Sequence, residues 1–506
     1  MFWSDEFAIN VKKRNFPLEW VDDMKTPSGR VHVGSLRGVI IHDLIYKSLV
    51  RLGIKANYSY VFNDCDPMDS FPIYLPESFR EHMGKPLYKI PSPKPGFDSY
   101  AQYFAKEFIA VFESLDCHPK IIWSHELYES GKMDELIKLC LNKTTEIKKI
   151  YEGTHKKDLG VWYPFQVICP KCGRLGSTKV TGWDGEKVTF ECLPQLVAWA
   201  QGCGYKGAIS PYKGTGKLLW KIDWAAHWKA IGVTVEWAGK DHMSKGGSYE
   251  ITSAICKDVI KYPAPLAKLY EHFLIGGRKM SSSKGVGASS KDMAESLPPQ
   301  ILRFLMVRTH YRQTINFNPL GETIPDLFDE YDEFCNHFYD QKQKDDDYSR
   351  IWELSQVGSI SKQKPIFPRF RDVVNFLQSP SVDIYQKFSD IDRKILEERI
   401  KYAKIWLKTY APEDEKFEIK DLQVEIDSQQ KKYLSELIKL VEQKDWQAED
   451  LQQEMYELSK RMNIQPKKAF QSIYLTLFGK TFGPKAAWLI LEDKKRILEV
   501  LSKKSS

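Results

Sequence analysis

Residues 24–49 read MKTPSGRVHVGSLRGVIIHDLIYKSL. Two glycines, Gly29 and Gly34, and one histidine, His32, stand directly before an amphipathic run. Leu36, Ile40, Leu44, Ile45 and Leu49 recur at three- and four-residue steps, which predicts a helix from about Gly34 to Leu52 with Gly53 as its stop. The next stretch, ANYSYVFND (56–64), alternates and ends in acids, as a buried strand does when its carboxyl end faces a site. A helix set so closely between two strands predicts a right-handed βαβ unit and a parallel sheet. A helix N-terminus offers unpaired N–H groups and a partial positive charge, and it binds phosphate when nothing bulky blocks the approach. Gly29 and Gly34 let the backbone come close, Ser28 and Ser35 add small donors, and His32 can donate to a phosphoryl oxygen. On these residues alone, a tight turn whose glycines only fix geometry is an equal reading.

A second element is GGRKMSSSKGVG (276–287). Lys279 and Lys284 bracket Ser281, Ser282 and Ser283, with glycines on both sides. Such a loop can fold over a triphosphate, its ammonium groups and hydroxyls offsetting charge on a leaving pyrophosphate. A basic loop without a ligand is the plainer alternative.

The rest of the chain bounds the answer. Its 506 residues suggest about three domains at ~150 residues each. A charged fraction of 28% suits a soluble globular protein, and a net charge of +7 permits an RNA or phosphate partner without requiring one. No apolar run reaches the ~18 residues of a membrane helix, and the N-terminus lacks the apolar core of a signal peptide. A cytoplasmic location with no membrane partner is expected. Nine cysteines, an odd number, argue against a disulfide framework. Cys169 and Cys172 form a C-x2-C knuckle, and Cys192 and Cys203 supply two more thiols. Four thiolates suit closed tetrahedral coordination, so one structural Zn²⁺ is expected, against buried thiols without metal. From about Asp326 onward the sequence reads as helical, with amphipathic runs at 431–443 and 447–462.

His-x-Gly at a strand–helix turn, followed much later by Lys-Met-Ser-x-Ser, resembles the paired signatures of class I aminoacyl-tRNA synthetases. TPSGRVHVGS (26–35), NDCDP (63–67), KLLWKIDWAAHW (217–228), GKDHMSKGGSYE (239–250), LYEHFLIGGRKMSSSKG (269–285) and QPKKAFQSIYLTLFGKTFGPKAA (465–487) narrow this to class I lysyl-tRNA synthetase. The resemblance runs from about residue 20 to the C-terminus. It implies an α/β fold: a Rossmann-like parallel-sheet catalytic domain with a zinc-binding insert, followed by an α-helical anticodon-binding region. The expected divisions are 1–155 and 216–290 for the two catalytic halves, 156–215 for the insert, 291–335 for a connecting helical segment and 336–506 for the anticodon-binding region.

The implied reaction activates L-lysine with ATP and Mg²⁺ and transfers it to tRNA(Lys). The resemblance assigns the ATP phosphates to Ser28, Gly29, His32, Gly34 and Ser35 and the mobile loop to Lys279, Met280 and Ser281 to Lys284. His32, Lys279, Ser281 and Ser282 are its catalytic candidates. Ser35 stands where the class carries a second histidine, and Ser282 where it carries a second lysine, with Lys284 the candidate replacement. Gly239, Asp241 and His242 match the segment that holds adenosine, His242 also neighbouring the amino acid. A lysine side chain needs a carboxylate, for which Asp64 and Asp66 stand at a strand's carboxyl end. Trp220 and Tyr270 can cover its stem, ordinary core packing being their alternative. Ser92, Phe97 and Asp98 replace the ligands of a second zinc site found in some members, so none is expected. Lys467, Lys468, Lys480 and Lys485 are candidates for RNA backbone contacts. Another class I specificity and a catalytically silent RNA-binding paralogue are the rival readings. The insert is short for a hydrolytic editing domain, so no editing is expected there. The oligomeric state is left open, a monomer being the simpler expectation.

Overall fold

The computed structural model describes all residues except 156–157, 279, 281–287, 341–345, 379–382, 414–415, 418, 420–423 and 506. Three strands, β1 (Glu19–Lys25), β2 (Ala56–Phe62) and β3 (Lys120–Trp123), form a parallel sheet in that order. Parallel bridges from Val21 to Val235 and from Val235 to Leu266 continue the sheet beyond β1. Ala238–Gly239 and Leu269–Tyr270 pair in parallel in turn. Strand order therefore reverses at β1. In open parallel sheets, ligands bind at such a reversal, outside the carboxyl ends of the strands.

The helix that joins β1 to β2, α1 (Gly34–Arg51), falls where the apolar spacing puts it. Most of it is buried, including Leu36, Ile40, Leu44, Ile45 and Leu49. Its N-cap, Val33, makes no side-chain cap hydrogen bond, and in the first turn the Ser35 and Leu36 N–H groups donate to the His32 and Val33 carbonyls (both 3.0 Å) rather than to a capping side chain. Two helices follow β3 in close succession, Asp134–Asn142 and Thr144–His155. Thr144 Oγ1 donates to the Leu141 carbonyl (2.7 Å), a local bond that competes with the helical ladder at the break.

Between the two halves of the sheet lies an insert. Phe165–Val167 enters it and Gly216–Leu218 leaves it, and these two strands pair antiparallel as a neck. Beyond the neck, Thr178–Trp183, Val188–Cys192 and Lys206–Ile209 form an antiparallel sheet.

The chain forms two compact units. One comprises residues 1–318 and 337–360, the other 319–336 and 361–506. The sheet and insert belong to the first. In the second, the runs at 431–443 and 447–462 are the helices Ser428–Glu442 and Ala448–Arg461, whose Leu434, Leu437, Leu451 and Met455 share one core. Among the described residues, no helix is long and apolar enough to cross a membrane.

Candidate active site

A cavity of about 750 Å³ opens at the carboxyl ends of β1 and the Val235 strand. One wall is the turn into α1, where Ser28, His32, Gly34 and Ser35 face the space. A Cβ on Gly34 would lie 3.0 Å from His32 Nδ1 and 3.4 Å from Met280 Cε, so the bare residue lets the imidazole lie across the helix mouth. Gly29 is not on the wall. The Ser28 carbonyl beside it accepts from the Tyr100 hydroxyl (2.9 Å), which pins the turn. Val33 N–H donates to the Ala288 carbonyl (3.2 Å) and Ser290 N–H to that of Val31 (2.8 Å). Met280 and Ala288, which flank residues 281–287, therefore both lie against this turn. Lys279, Ser281, Ser282, Ser283 and Lys284 lie outside the described residues.

The second wall comes from α2 (Trp220–Ile231) and from Gly239, Asp241 and His242. Trp220, which is 41% exposed, stacks on Trp224 with ring centroids 6.2 Å apart. His242 meets the two indoles edge-on at 5.7 and 6.0 Å. Flat rings at this spacing suit an alkyl stem or a base.

The floor is acidic. Asp23, Glu236, Tyr60, Trp237 and Tyr270 line it. Glu236 accepts from the indole N–H groups of Trp224 (2.8 Å) and Trp228 (2.5 Å), and burial pushes its carboxyl up to about 7. Asp23 lies 3.6 Å from His42. Burial, the largest single effect, lowers the His42 pKa, but Asp23, the Gly38 carbonyl and Glu236 together raise it, and the net direction is up. Yet His42 Nδ1 lies 2.7 Å from the Gly38 carbonyl while Nε2 lies 2.9 Å from the Trp237 N–H. A ring that donates at one nitrogen and accepts at the other is neutral, so His42 gives Asp23 no counter-charge.

Gly38 on α1 explains how the floor closes. A Cβ there would lie 2.7 Å from Asp23 Oδ2 and 2.8 Å from Tyr270 Oη. Gly38→Ala is expected to push one of these groups aside and destabilise the fold by ~1–3 kcal/mol. Denaturant unfolding of the variant measures this.

The third wall is the insert's neck, with Gln166, Lys217 and Leu218. The buried Lys217 ammonium contacts Asp66 and, at 3.0 Å, Asp223. Burial lowers its pKa, but Asp223 and Asp66 raise it further, and the net direction is up. Asp66 also accepts from Thr26 Oγ1 (2.5 Å).

Both acids expected to receive a lysine ammonium therefore have other partners. Asp66 faces the cavity but is already paired with Lys217. Asp64 is off the wall: it accepts from Ser124 Oγ and His125 N–H (both 2.9 Å) and from the His125 ring, at the start of the helix Ser124–Glu129. Of the other carboxylates that line the cavity, Asp23 and Glu236 are the buried ones, and neither is paired with a lysine or arginine. Their signal was present in VDDMK at the end of β1 and VEWAG at the end of the neighbouring strand.

In the insert, the sulfurs of Cys169, Cys172, Cys192 and Cys203 all lie within 4.8 Å of one another, with Cys169–Cys203 and Cys172–Cys192 at 3.6 Å. Tetrahedral zinc with ~2.3 Å bonds sets its sulfurs about 3.8 Å apart, so the cluster fits such an ion. In the helical unit, two of the four lysines considered for RNA are engaged. Lys480 donates to the Glu413 and Lys416 carbonyls, and Lys468 pairs with Asp427 at 2.7 Å.

The model of the family described as tRNA synthetases class I (K) matches residues 1–358, and that of an anticodon binding domain matches residues 393–492. The chain belongs to the class I (K) tRNA synthetases. Among its relatives in this family, the lysine–tRNA ligase of Methanosarcina barkeri is 34% identical, covering 98% of this chain and 96% of that protein. The lysine–tRNA ligase of Archaeoglobus fulgidus is 32% identical, covering 97% of both chains. The parallel sheet with its helices and the helical unit are thus the parts of a class I synthetase.

Proposed function

We propose that this chain is a lysine–tRNA ligase, which activates lysine with ATP and transfers it to tRNA(Lys). The observation that carries the reading is the pairing, in a chain of this family, of an uncapped helix end on one side of the cavity with an acidic floor under stacked indoles on the other. ATP phosphates lie on the N-terminus of α1 beside His32; Lys279 and Ser281–Lys284, which lie outside the described residues, are assigned to the same phosphates, whose charge Mg²⁺ would offset. Gly239 and Asp241 hold the adenosine. The lysine stem lies along Trp220, His242 and Tyr270, and its ammonium is held by Asp23 and Glu236.

A lysine carboxylate oxygen attacks the α-phosphorus in line. The new P–O bond forms as the bond to the β-phosphate oxygen breaks, and pyrophosphate leaves with that electron pair. A ribose hydroxyl at the tRNA 3′ end then takes the lysyl group and releases AMP. Positioning and electrostatics carry such chemistry, so no strong protein base is needed. Lys467 and Lys485 on the helical unit are offered to the RNA backbone. Cys169, Cys172, Cys192 and Cys203 would hold one Zn²⁺ with no open position, in a structural role.

The test is ATP–pyrophosphate exchange with each of the twenty amino acids, with and without total tRNA. Exchange driven by lysine supports the reading, and exchange driven only by another amino acid overturns the specificity. The Glu236 carboxyl, pushed up to about 7, adds a pH signature. Only its ionised form attracts an ammonium. Lysine affinity is therefore expected to rise with pH up to about 7 and then level off, falling by up to ~10-fold per unit on the acid side. The lysine KM measured from pH 6 to 8.5 reads this directly, and a flat profile removes Glu236 from the pocket.

A further inference from the structure

Asp23 and Lys25 alternate along the end of β1, so their side chains share one face of the strand, and both line the cavity. Lys25 is half-buried, and burial lowers its pKa while Asp23 raises it by less. Among the described residues, no carboxylate lies within ion-pair distance of its ammonium. The other lysine on this wall, Lys217, has two carboxylates in contact. Asp23 therefore offsets the burial of this ammonium only in part, and a cation desolvated without an ion-pair partner is costly for a fold to keep; it is retained where a ligand supplies the anion.

The step proposed above needs such a charge. It drives a carboxylate against an α-phosphate, two anions that repel until the new bond forms. Lys25 stands two residues along β1 from the acid assigned to the substrate ammonium and seven before His32 at the phosphate turn. Lysine carries its carboxylate at the opposite end from the ε-ammonium, so an ammonium on Asp23 leaves the carboxylate and the α-phosphate on the side toward the turn.

We infer that Lys25 is a further catalytic residue, whose ammonium binds the anionic oxygens brought together at the reacting centre, those of the lysine carboxylate and the ATP α-phosphate. It stays protonated throughout, and no proton moves in the step it assists. The inference rests on the ligase reading, and it names a group that neither the synthetase motifs nor the cysteine cluster contains.

The test compares the full-length parent with Lys25→Met and Lys25→Arg in lysine-dependent ATP–pyrophosphate exchange. Thermal melting is run in parallel, and lysinol, which lacks the carboxylate, serves as a competitive probe. Lys25→Met is expected to lower kcat/KM by ~10²–10³-fold, as loss of a single preorganised donor to a developing anion does, with Lys25→Arg recovering at least ten-fold. Its melting temperature is expected to stay level or rise, because an unpaired cation has been removed. If the carboxylate is the main partner, lysine affinity falls while lysinol affinity is unchanged. If the α-phosphate is, the KM for ATP rises and both amino compounds bind as before. An unchanged kcat/KM overturns the role, and so does a marked drop in melting temperature, which would mean that the protein itself partners the ammonium. A parent without lysine-driven exchange overturns the ligase reading instead. Lys25 is then tested against whichever amino acid does drive exchange, or by ATP binding to parent and Lys25→Met where none does.

Discussion

Asp23→Asn is expected to raise the KM for lysine by roughly 30-fold to several thousand-fold, the ~2–5 kcal/mol that follows when one member of a buried charge pair is truncated. The substitution keeps the size of the side chain. Asp23 Oδ1 accepts from the Met24 N–H at 2.8 Å, and an amide oxygen can keep that bond. What is lost is negative charge against Tyr270 and α1, where Gly38 admits the carboxylate. His42 cannot compensate, because its ring is held neutral between the Gly38 carbonyl and the Trp237 N–H. The KM for ATP should move little, since ATP is assigned to the opposite wall. Steady-state exchange with each substrate varied in turn checks both statements. A lysine KM within three-fold of the parent would return the ammonium to Asp66. In that case Lys217→Met, which frees Asp66, should tighten lysine binding.

The contrast between Asp66 and Asp23 shows what the sequence could and could not say about the site. The turn at 28–35 was legible because glycine, histidine and an apolar period of 3.6 are local signals. The knuckle at Cys169 and Cys172 was legible for the same reason. The choice among carboxylates was not local. Asp64 and Asp66 carry the sequence signature of a strand end, and both stand at one. Which of them is available depends on Lys217, 151 residues beyond Asp66, and on His125, 61 beyond Asp64. Glu236 reaches the floor only because the sheet reverses at β1 and brings Val235 beside Val21. Charge pairing across a sheet leaves no periodic trace in the chain, whereas helix faces and metal spacings do.

Removal of the zinc proposed for the cysteine cluster is expected to have the second large effect, and to have it at a distance. Cys169 follows the entering strand of the neck by two residues, and the Ile168 N–H donates to the Thr215 carbonyl at 2.8 Å. The Leu175 and Gly176 N–H groups both donate to the Gly84 carbonyl, at 2.7 and 3.1 Å. Gly84 N–H donates to the Met68 carbonyl (2.9 Å), two residues from Asp66. The knuckle is thus tied on one side to the neck that carries Lys217 and on the other to the segment that carries Asp66. Four thiols without an ion lose the bonds that hold their loops together, and small metal modules draw most of their folding energy from those bonds. Cys172→Ser, or a strong chelator, is expected to abolish a stoichiometry of one zinc per chain. It should open the insert to proteolysis between the two neck strands and raise the lysine KM by at least ~10-fold as the Lys217–Asp66 contact loosens. The same loss should appear as pH falls, because protons compete with the metal for thiolates. Metal content, limited proteolysis and exchange kinetics on one preparation separate the possible outcomes. A chain that loses its zinc, resists protease and keeps its lysine KM would mean that the insert stands on its hydrophobic core alone. Joint loss of all three would place the geometry of the amino-acid pocket under the control of the thiolate centre.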